Sequence, residues 1–165
     1  MKKPDSITIG IIIFTLVILG GIALVALTTQ NKLITKYTAV DQDRPKLEIG
    51  ETSFDFGQMK VDDIKVQEIP LKNAGTKPLI ISDIYTSCDC TYAEVVIGGA
   101  TSARFSMNRN MTWQGEIPAG QSATLKIFYE PRIMPVKGVV RRQIYFRTND
   151  PEKLSNDISF QALVE

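Results

Sequence analysis

The 165-residue sequence contains no histidine, only two cysteines and a single tryptophan. Without histidine the chain cannot build a Ser-His-Asp triad, in which the imidazole takes the proton of the nucleophile. The sequence also lacks a glycine-rich loop between a strand and a helix, the pattern that cradles phosphates. These absences predict a protein that is not an enzyme.

An excess of charge of one sign is also missing. The chain has 19 Lys and Arg against 18 Asp and Glu, a formal charge of +1. Counting residues 45–165 alone gives 14 Lys and Arg against 15 Asp and Glu, a charge of −1. Because a nucleic-acid-binding surface needs clustered basic residues, we expect no nucleic-acid partner.

One long uncharged run stands near the N-terminus, the 23 residues from Ile7 to Thr29. A bilayer core of about 30 Å needs about 20 helical residues, so this run is long enough to cross it. A cleaved signal peptide has a shorter apolar region, about 7–15 residues, and a small-x-small cleavage site, which "ALTTQNK" does not offer. A core helix of a soluble protein would show a polar face. The run therefore predicts a transmembrane signal anchor.

Lysines flank this run on both sides. Lys2 and Lys3 precede it, and Lys32 and Lys36 follow it. The free amino terminus adds positive charge on the first side, partly offset by Asp5, and this small excess mildly favours a cytoplasmic N-terminus. The prediction is a single-pass protein of the cell membrane with an extracytoplasmic C-terminal domain. Its parts are a short N-terminal tail at 1–6, the anchor at 7–29, a stalk at 30–44 and one domain at 45–165.

The C-terminal domain is predicted to be all-β. Apolar residues alternate with polar ones in "ATLKIFYEP", "RRQIYFRTND" and "NDISFQALVE", the period of half-buried strands. Turn sequences such as "KNAGTKP", "PAGQ" and "TNDPEK" separate these stretches. Ile64 and Val66 have the opposite parity to Ile69 and Leu71, which predicts a bulge near Glu68. The pattern is typical of an antiparallel β-sandwich of about seven strands.

Five pieces of this region occur in a recognisable order: "FDFG" at 54–57, "LKNAGTKPLII" at 71–81, "SCDCT" at 87–91, "PAGQSATL" at 118–125 and "TNDP" at 148–151. In these pieces the chain resembles a bacterial domain-of-unknown-function family of Ig-like folds, related to Hydin-like and major-sperm-protein-like sandwiches. The resemblance implies an Ig-like antiparallel β-sandwich, often exported or membrane-tethered, with no established enzymatic activity. Compared with shorter members the chain carries an inserted loop at about 96–117, a place where sandwiches often bind partners.

Cys88 and Cys90 stand one residue apart in "TSCDCT", and four interpretations are open. On an extended strand their Cα atoms would be about 6.7 Å apart with parallel side chains. A disulfide needs Cβ atoms about 3.8 Å apart, so it requires a bent backbone, and it is the least favoured interpretation. The others are core packing, a soft-metal site and a thiol redox pair, which Asp89 disfavours because its charge opposes a thiolate.

The soft-metal interpretation has a defined set of ligands. Two thiols on one face suit Cu(I), which prefers thiolate and thioether ligands. The resemblance implies a methionine in the inserted loop, which Met107 matches, and a histidine near "EPRIMPVKG", where this chain has Met134 instead. The candidate metal ligands are therefore Cys88, Cys90, Met107 and Met134, with Met111 in reserve.

These observations predict a membrane-anchored extracytoplasmic interaction or scaffold domain without catalytic activity, whose protein partner the sequence does not identify. The alternatives are Cu(I) or other soft-metal binding through the cysteines and methionines, and a thiol redox pair. Arg141 and Arg142 are interpreted as a solvated strand edge, with a partner site as the alternative.

Overall fold

The computed structural model describes residues 14–21, 36–109 and 112–165, which belong to two units, Met1–Thr35 and Lys36–Glu165. In the first unit residues 14–21 are α-helical and exposed. Within the described ranges no helix combines the length and the apolar character that a membrane span needs. The tail at 1–6, residues 7–13 and 22–29 of the predicted anchor, and residues 30–35 of the stalk lie outside the described residues. The anchor therefore stays a prediction.

The second unit contains ten β-strands among its described residues. They are β1 (Leu47–Ile49), β2 (Ser53–Met59), β3 (Lys65–Asn73), β4 (Leu79–Thr86), β5 (Thr91–Ile97), β6 (Ala100–Thr101), β7 (Gln114–Ile117), β8 (Ser122–Tyr129), β9 (Gly138–Thr148) and β10 (Ser155–Val164). A 3-10 turn, Pro131–Ile133, follows β8. The long strands form where apolar and polar residues alternate, because alternate side chains of a strand point to opposite faces.

The strands form two five-stranded sheets that pack face to face. Sheet A has the order β1-β3-β8-β5-β6, and sheet B has the order β2-β10-β9-β4-β7. Neighbouring strands are antiparallel except β2 and β10, which are parallel. The inner faces enclose one continuous hydrophobic core. Near β2 this core is aromatic, with the rings of Phe56 and Tyr129 each close to that of Phe160, at 5.0 and 5.2 Å between centroids.

The predicted all-β sandwich is confirmed, with more strands than expected. Ten strands replace about seven because β1, β6 and β7 have three, two and four residues, too few to show an alternating pattern. The expected bulge near Glu68 is wrong, because β3 pairs with β8 from Lys65 to Lys72 without a shift of register. Ile64 and Val66 instead point away from the core and are 49% and 45% exposed.

Two other positions interrupt the regular strands. Gly57 in β2 has a φ of +68°, a backbone conformation that glycine adopts without steric cost. Asp83 in β4 has a φ of +50°, which is uncommon for a residue with a side chain. The register between β4 and β9 shifts there, between Ser82 and Tyr85. The shift determines which residues at the end of β4 pair with β9, and it places Tyr85 opposite Tyr145.

The segment at 96–117, expected as an inserted loop, contributes to the sandwich. It contains β6 and β7, and between them Phe105 exchanges two main-chain hydrogen bonds with Ala93 of β5. Phe105 is 1% exposed and its ring lies edge-on to that of Trp113, 4.9 Å away. A Cβ on Gly115 would lie 2.6 Å from the Trp113 ring, so the indole and β7 are closely packed.

Where sheet A begins, Arg44 and Leu47 are bonded to Asp150 in the turn between β9 and β10, a contact that we call the clamp at Asp150. The Asp150 carboxylate accepts hydrogen bonds from the main-chain N–H of Leu47 (2.8 Å) and from Arg44 (3.2 Å). Arg44 also pairs with Glu152 at 2.9 Å, and its guanidinium holds the pKa of that carboxyl below the ordinary value. The end of the predicted stalk is therefore packed against the domain.

Candidate functional site

Cys88 and Cys90 form a disulfide in a tight turn between β4 and β5. The main-chain N–H of Thr91 donates to the carbonyl of Cys88 (3.2 Å), which closes the turn. The Cα atoms of the two cysteines are 5.3 Å apart, closer than the roughly 6.7 Å of an extended strand. The expectation that a disulfide is the least favoured state is therefore wrong: β4 ends at Thr86, and the bent backbone allows the bond. No cysteine in the described chain is free.

Hydrogen bonds fix this disulfide turn, residues 87–91, to the sandwich. The hydroxyl of Thr86 lies 2.9 Å from the carbonyl oxygens of both Cys88 and Thr91. Ser87 is exposed and pairs with Gln143 of β9, donating its N–H to the Gln143 carbonyl (2.9 Å) and accepting the Gln143 N–H at its hydroxyl (3.0 Å). These hydrogen bonds therefore hold the disulfide turn against β4 and β9.

The two sulfur atoms have different surroundings. Nε of Arg142 lies 3.4 Å from Sγ of Cys90, and the hydroxyl of Thr91 donates to Sγ of Cys88 at 3.3 Å. Cys90 is fully buried, whereas Cys88 is 5% exposed. The charged donor therefore faces the buried sulfur, and a neutral hydroxyl faces the other.

Arg142 reaches Cys90 because of its position in β9. Val140, Ile144 and Phe146 lie two or four residues from Arg142 and are buried, so this face of the strand points into the sandwich. The interpretation of Arg141 and Arg142 as a solvated strand edge is therefore wrong: β9 lies between β10 and β4, and Arg141 is exposed on the outer face whereas Arg142 is part-buried. The alternation of "RRQIYFR" was the signal for this difference.

Tyr129 of β8 also lies near this charge. It is fully buried, and within the described part of the chain its hydroxyl has no hydrogen-bond partner. Burial raises the pKa of Tyr129, and the charge of Arg142 acts in the opposite direction. The hydroxyl is therefore a neutral, unsatisfied group beside the guanidinium.

The predicted metal ligands lie in different settings. Cys88 and Cys90 are bonded to each other, while Met107 and Met134 are 49% and 46% exposed, and Met111 lies outside the described residues. The described chain contains no cluster of three or more His, Cys, Asp or Glu residues arranged for a metal. The Cu(I) site stays a prediction, and it applies only to the reduced protein because a metal-bound cysteine is a thiolate.

A groove crosses the solvent face of sheet B close to the disulfide turn. It has a volume of about 710 Å³ and runs over β2, β10 and β9. Its lining residues are Ser53, Phe54, Asp55, Arg141, Arg142, Gln143, Ser159, Phe160 and Gln161. The register places Ser53 and Gln143 on either side of Ser159, so a small side chain lies in the middle of the groove. Because Gln143 also pairs with Ser87, the groove leads toward the disulfide turn.

An aromatic pair continues this face beyond the groove. The rings of Tyr85 and Tyr145 stack at 4.9 Å, and the Tyr145 hydroxyl donates to Gln143 at 2.6 Å. The guanidinium of Arg109 lies 4.3 Å from the centroid of the Tyr85 ring and forms an ion pair with Asp83. The sequence did not reveal this cluster, because it depends on the register of β4 with β9 and on the return of the segment that carries Arg109.

Comparisons with known proteins agree with this architecture. Residues 47–98 match the family described as "Protein of unknown function (DUF1573)". A protein of unknown function from Porphyromonas gingivalis W83 is similar in structure, with a TM-score of 0.58 and 22% identity over 76% of this chain and 50% of that one. This chain thus spans about half of that protein's length.

A second similar structure is the ASH / PapD-like domain of human CEP192 (PapD-like domain 7). Its TM-score is 0.51, with 15% identity over 83% of this chain and 96% of that one. At these identities the two structures show the fold alone. No curated protein matches the sequence. The resemblance to a bacterial family of Ig-like domains of unknown function is therefore confirmed, and residues 47–98 carry its sequence pattern.

Proposed function

We propose that this chain is a membrane-anchored extracytoplasmic interaction domain without catalytic activity, and that it binds a protein partner on the solvent face of sheet B. The observation that carries the proposal is the groove over β2, β10 and β9, which continues into the stacked pair Tyr85 and Tyr145. Tyrosine and arginine side chains contribute most of the binding energy in many protein interfaces. This face offers both types next to a concave surface.

The solvent face of sheet A fits this role less well, because its Tyr92 ring is covered, whereas Tyr85 and Tyr145 on sheet B stay partly exposed. Lys126 forms an ion pair with Glu68 at 2.8 Å. Arg104 lies 3.7 Å from the centroid of the Tyr92 ring and covers it, leaving Tyr92 only 6% exposed. A partner on this face would have to displace these contacts. Sheet B is therefore the favoured side.

The groove holds residues suited to binding. The Asp55 carboxylate accepts hydrogen bonds from Gln161 (2.8 Å) and from the main-chain N–H of Gly57 (2.7 Å), and these lower its pKa. A carboxylate held in the ionised form is a poor proton donor at neutral pH. Arg141 is an exposed cation that can pair with acceptors of a partner. These features support recognition as the role of the groove.

Photo-crosslinking in cells tests the binding surface. Benzoylphenylalanine is placed at Ser159, in the middle of the groove, and in a matched variant at Lys72, which is exposed on sheet A. We expect a protein adduct of one defined mass from the Ser159 position and none from the Lys72 position. Equal adducts from both positions, or none from Ser159, would contradict the proposal.

A separate measurement tests the anchor and its orientation. The proposal predicts that the full chain stays in the membrane fraction after carbonate extraction. It also predicts that alkaline phosphatase fused after Glu165 is active, since that enzyme folds only outside the cytoplasm. A fusion that is inactive as phosphatase but fluoresces with green fluorescent protein in its place would reverse the orientation.

A further inference from the structure

The disulfide turn has chemistry that partner binding alone does not use. A disulfide between residues two apart closes almost no loop, so it contributes little to restricting the unfolded chain. Arg142 nevertheless places a guanidinium at one of its sulfurs. In the described part of the chain Arg142 has no carboxylate partner, although its side chain extends from the inner face of β9. This arrangement needs an explanation.

We propose that the Cys88–Cys90 disulfide is a redox-active site that oxidises a dithiol, and that Arg142 stabilises Cys90 as the leaving thiolate. The guanidinium lies 3.4 Å from the Cys90 sulfur, within reach of a charge-assisted hydrogen bond to a thiolate. Thiol–disulfide exchange is faster when the leaving sulfur is stabilised as an anion. Arg142 is a positioning residue that selects which sulfur leaves.

Accessibility favours the same direction of attack. Cys88 keeps 5% of its surface exposed and lies between the exposed residues Ser87 and Asp89, whereas Cys90 is fully buried. The reaction is a displacement along the sulfur–sulfur axis, so the attacked sulfur is the one that an incoming thiolate can reach. Exposure and charge therefore both make Cys88 the attacked sulfur and Cys90 the leaving one.

The reaction balances as a two-electron exchange. A thiolate of the dithiol attacks Sγ of Cys88, the Cys88–Cys90 bond breaks, and Cys90 leaves with the electron pair beside Arg142. The second thiolate of the dithiol then attacks the first sulfur of the same dithiol, which is bonded to Cys88 in the mixed disulfide. Cys88 is released as a thiolate. The two protons lost by the dithiol are taken up by the two cysteines. The dithiol ends as a disulfide, and Cys88 and Cys90 end as thiols.

The reductant class follows from the same geometry. Releasing Cys88 from the mixed disulfide needs a second thiol, and a thiol held near the first attacks at a higher effective concentration, so a dithiol completes the reaction faster than a monothiol. The groove ends near Ser87, which gives a protein that carries such a dithiol a surface on which to lie. The inferred substrate is therefore an extended or exposed protein dithiol.

Reduction kinetics of the folded full-length chain in detergent test the proposal, with dithiothreitol as the dithiol. The reaction is stopped with acid at timed intervals, new thiols are alkylated, and the oxidised fraction is measured by mass spectrometry. We expect Arg142→Gln to slow reduction about tenfold or more. Arg142→Lys, which keeps the charge, should recover part of the rate, and Arg147→Gln, an exposed arginine of the same strand outside the groove, should stay within about twofold of the parent.

A second readout uses glutathione, a monothiol, under conditions that trap the mixed disulfide. Fragmentation of the peptide on either side of Asp89 shows which cysteine carries the adduct, and we expect Cys88. This readout needs only the parent protein, so it holds even when an Arg142 variant does not fold.

Three results would overturn the proposal. The disulfide could resist dithiothreitol until the domain unfolds, which would make it a buried structural bond. The adduct could lie on Cys90, which would reverse the direction of attack. Arg142→Gln could react as fast as the parent, which would remove Arg142 from the reaction.

Discussion

Asn73 is a single buried residue that joins several segments of this sandwich. Its side-chain oxygen accepts the main-chain N–H groups of Lys46 (3.3 Å) and Gly75 (3.0 Å). Its side-chain NH₂ group donates to the carbonyl oxygens of Lys77 (2.8 Å) and Ile117 (3.0 Å). All four bonds hold main-chain groups near the β3–β4 turn, in a residue that is fully buried. One amide thus supports this end of both sheets.

Replacing Asn73 by Ala should lower the free energy of unfolding by about 2–5 kcal/mol, because buried donors and acceptors lose their partners. Urea denaturation followed by fluorescence measures this change. Asn156→Ala is the control, since Asn156 is less buried and its side chain donates to the carbonyl of Lys153 (2.8 Å). An Asn73 variant as stable as Asn156→Ala would show that water replaces the amide without cost.

At the scale of elements, a surface carboxylate adds a side-chain bond to the parallel pair β2–β10. Asp55 of β2 accepts from Gln161 of β10, and with the Gly57 N–H this bond lowers the pKa of Asp55. A lowered pKa in the folded state stabilises the fold above the ordinary carboxyl value of about 3.9. The contribution is lost as the pH falls through the folded-state value. The stabilisation is therefore present at neutral pH and is lost under acid conditions.

Asp55→Asn should have a lower melting temperature than the parent at pH 6, and the difference should shrink as the pH falls below about 4. Scanning calorimetry across this range checks the trend. In a Gln161→Ala background the difference at pH 6 should be smaller, because the largest cause of the pKa shift is gone. A difference between Asp and Asn that is the same at pH 6 and pH 3 would contradict the linkage.

Phe105 ties the segment between β6 and β7 to the core. Phe105→Ala should lower the free energy of unfolding by about 3–5 kcal/mol, because it removes a buried ring and leaves a cavity beside Trp113. Phe128→Ala is the matched control, since Phe128 is half-buried on the outer face and stacks on Tyr92. We expect the smaller loss there. Equal losses in urea denaturation would mean that Phe105 packs no better than a surface ring.

At the scale of the whole molecule, the disulfide should matter little for stability. Its cysteines are two residues apart, so the chain-entropy estimate is at most about 2 kcal/mol, compared with about 3 kcal/mol for a 15-residue loop. Cys88→Ala/Cys90→Ala should therefore fold cooperatively, with a loss of that order in urea. A double variant that does not fold would identify the bond as essential to the sandwich.

The sequence predicted most of the architecture and little of the site. The alternation in β8, β9 and β10 is long enough to identify strands without other information, and these strands are confirmed. The supposed bulge near Glu68 was wrong because Val66 packs on the outer face, opposite Phe128 across the pair β3–β8. Parity alone cannot separate a bulge from an outward-facing apolar residue.

For the site, the cysteines were found from composition, but their bond was not. It depends on where β4 ends, which hydrogen bonds of Thr86 and Ser87 decide. The contact between Arg142 and Cys90 depends on the register between β4 and β9, which shifts at Asp83. Distant pairings of this kind leave no periodic trace in the sequence.

The clamp at Asp150 has a mechanical consequence. Any tension applied to the chain ahead of Arg44 reaches the domain where Arg44 and Leu47 are both bonded to Asp150. The load passes directly into the turn between the long strands β9 and β10, so the three-residue strand β1 does not carry it alone. A domain pulled from this end would therefore resist through the long β9–β10 hairpin.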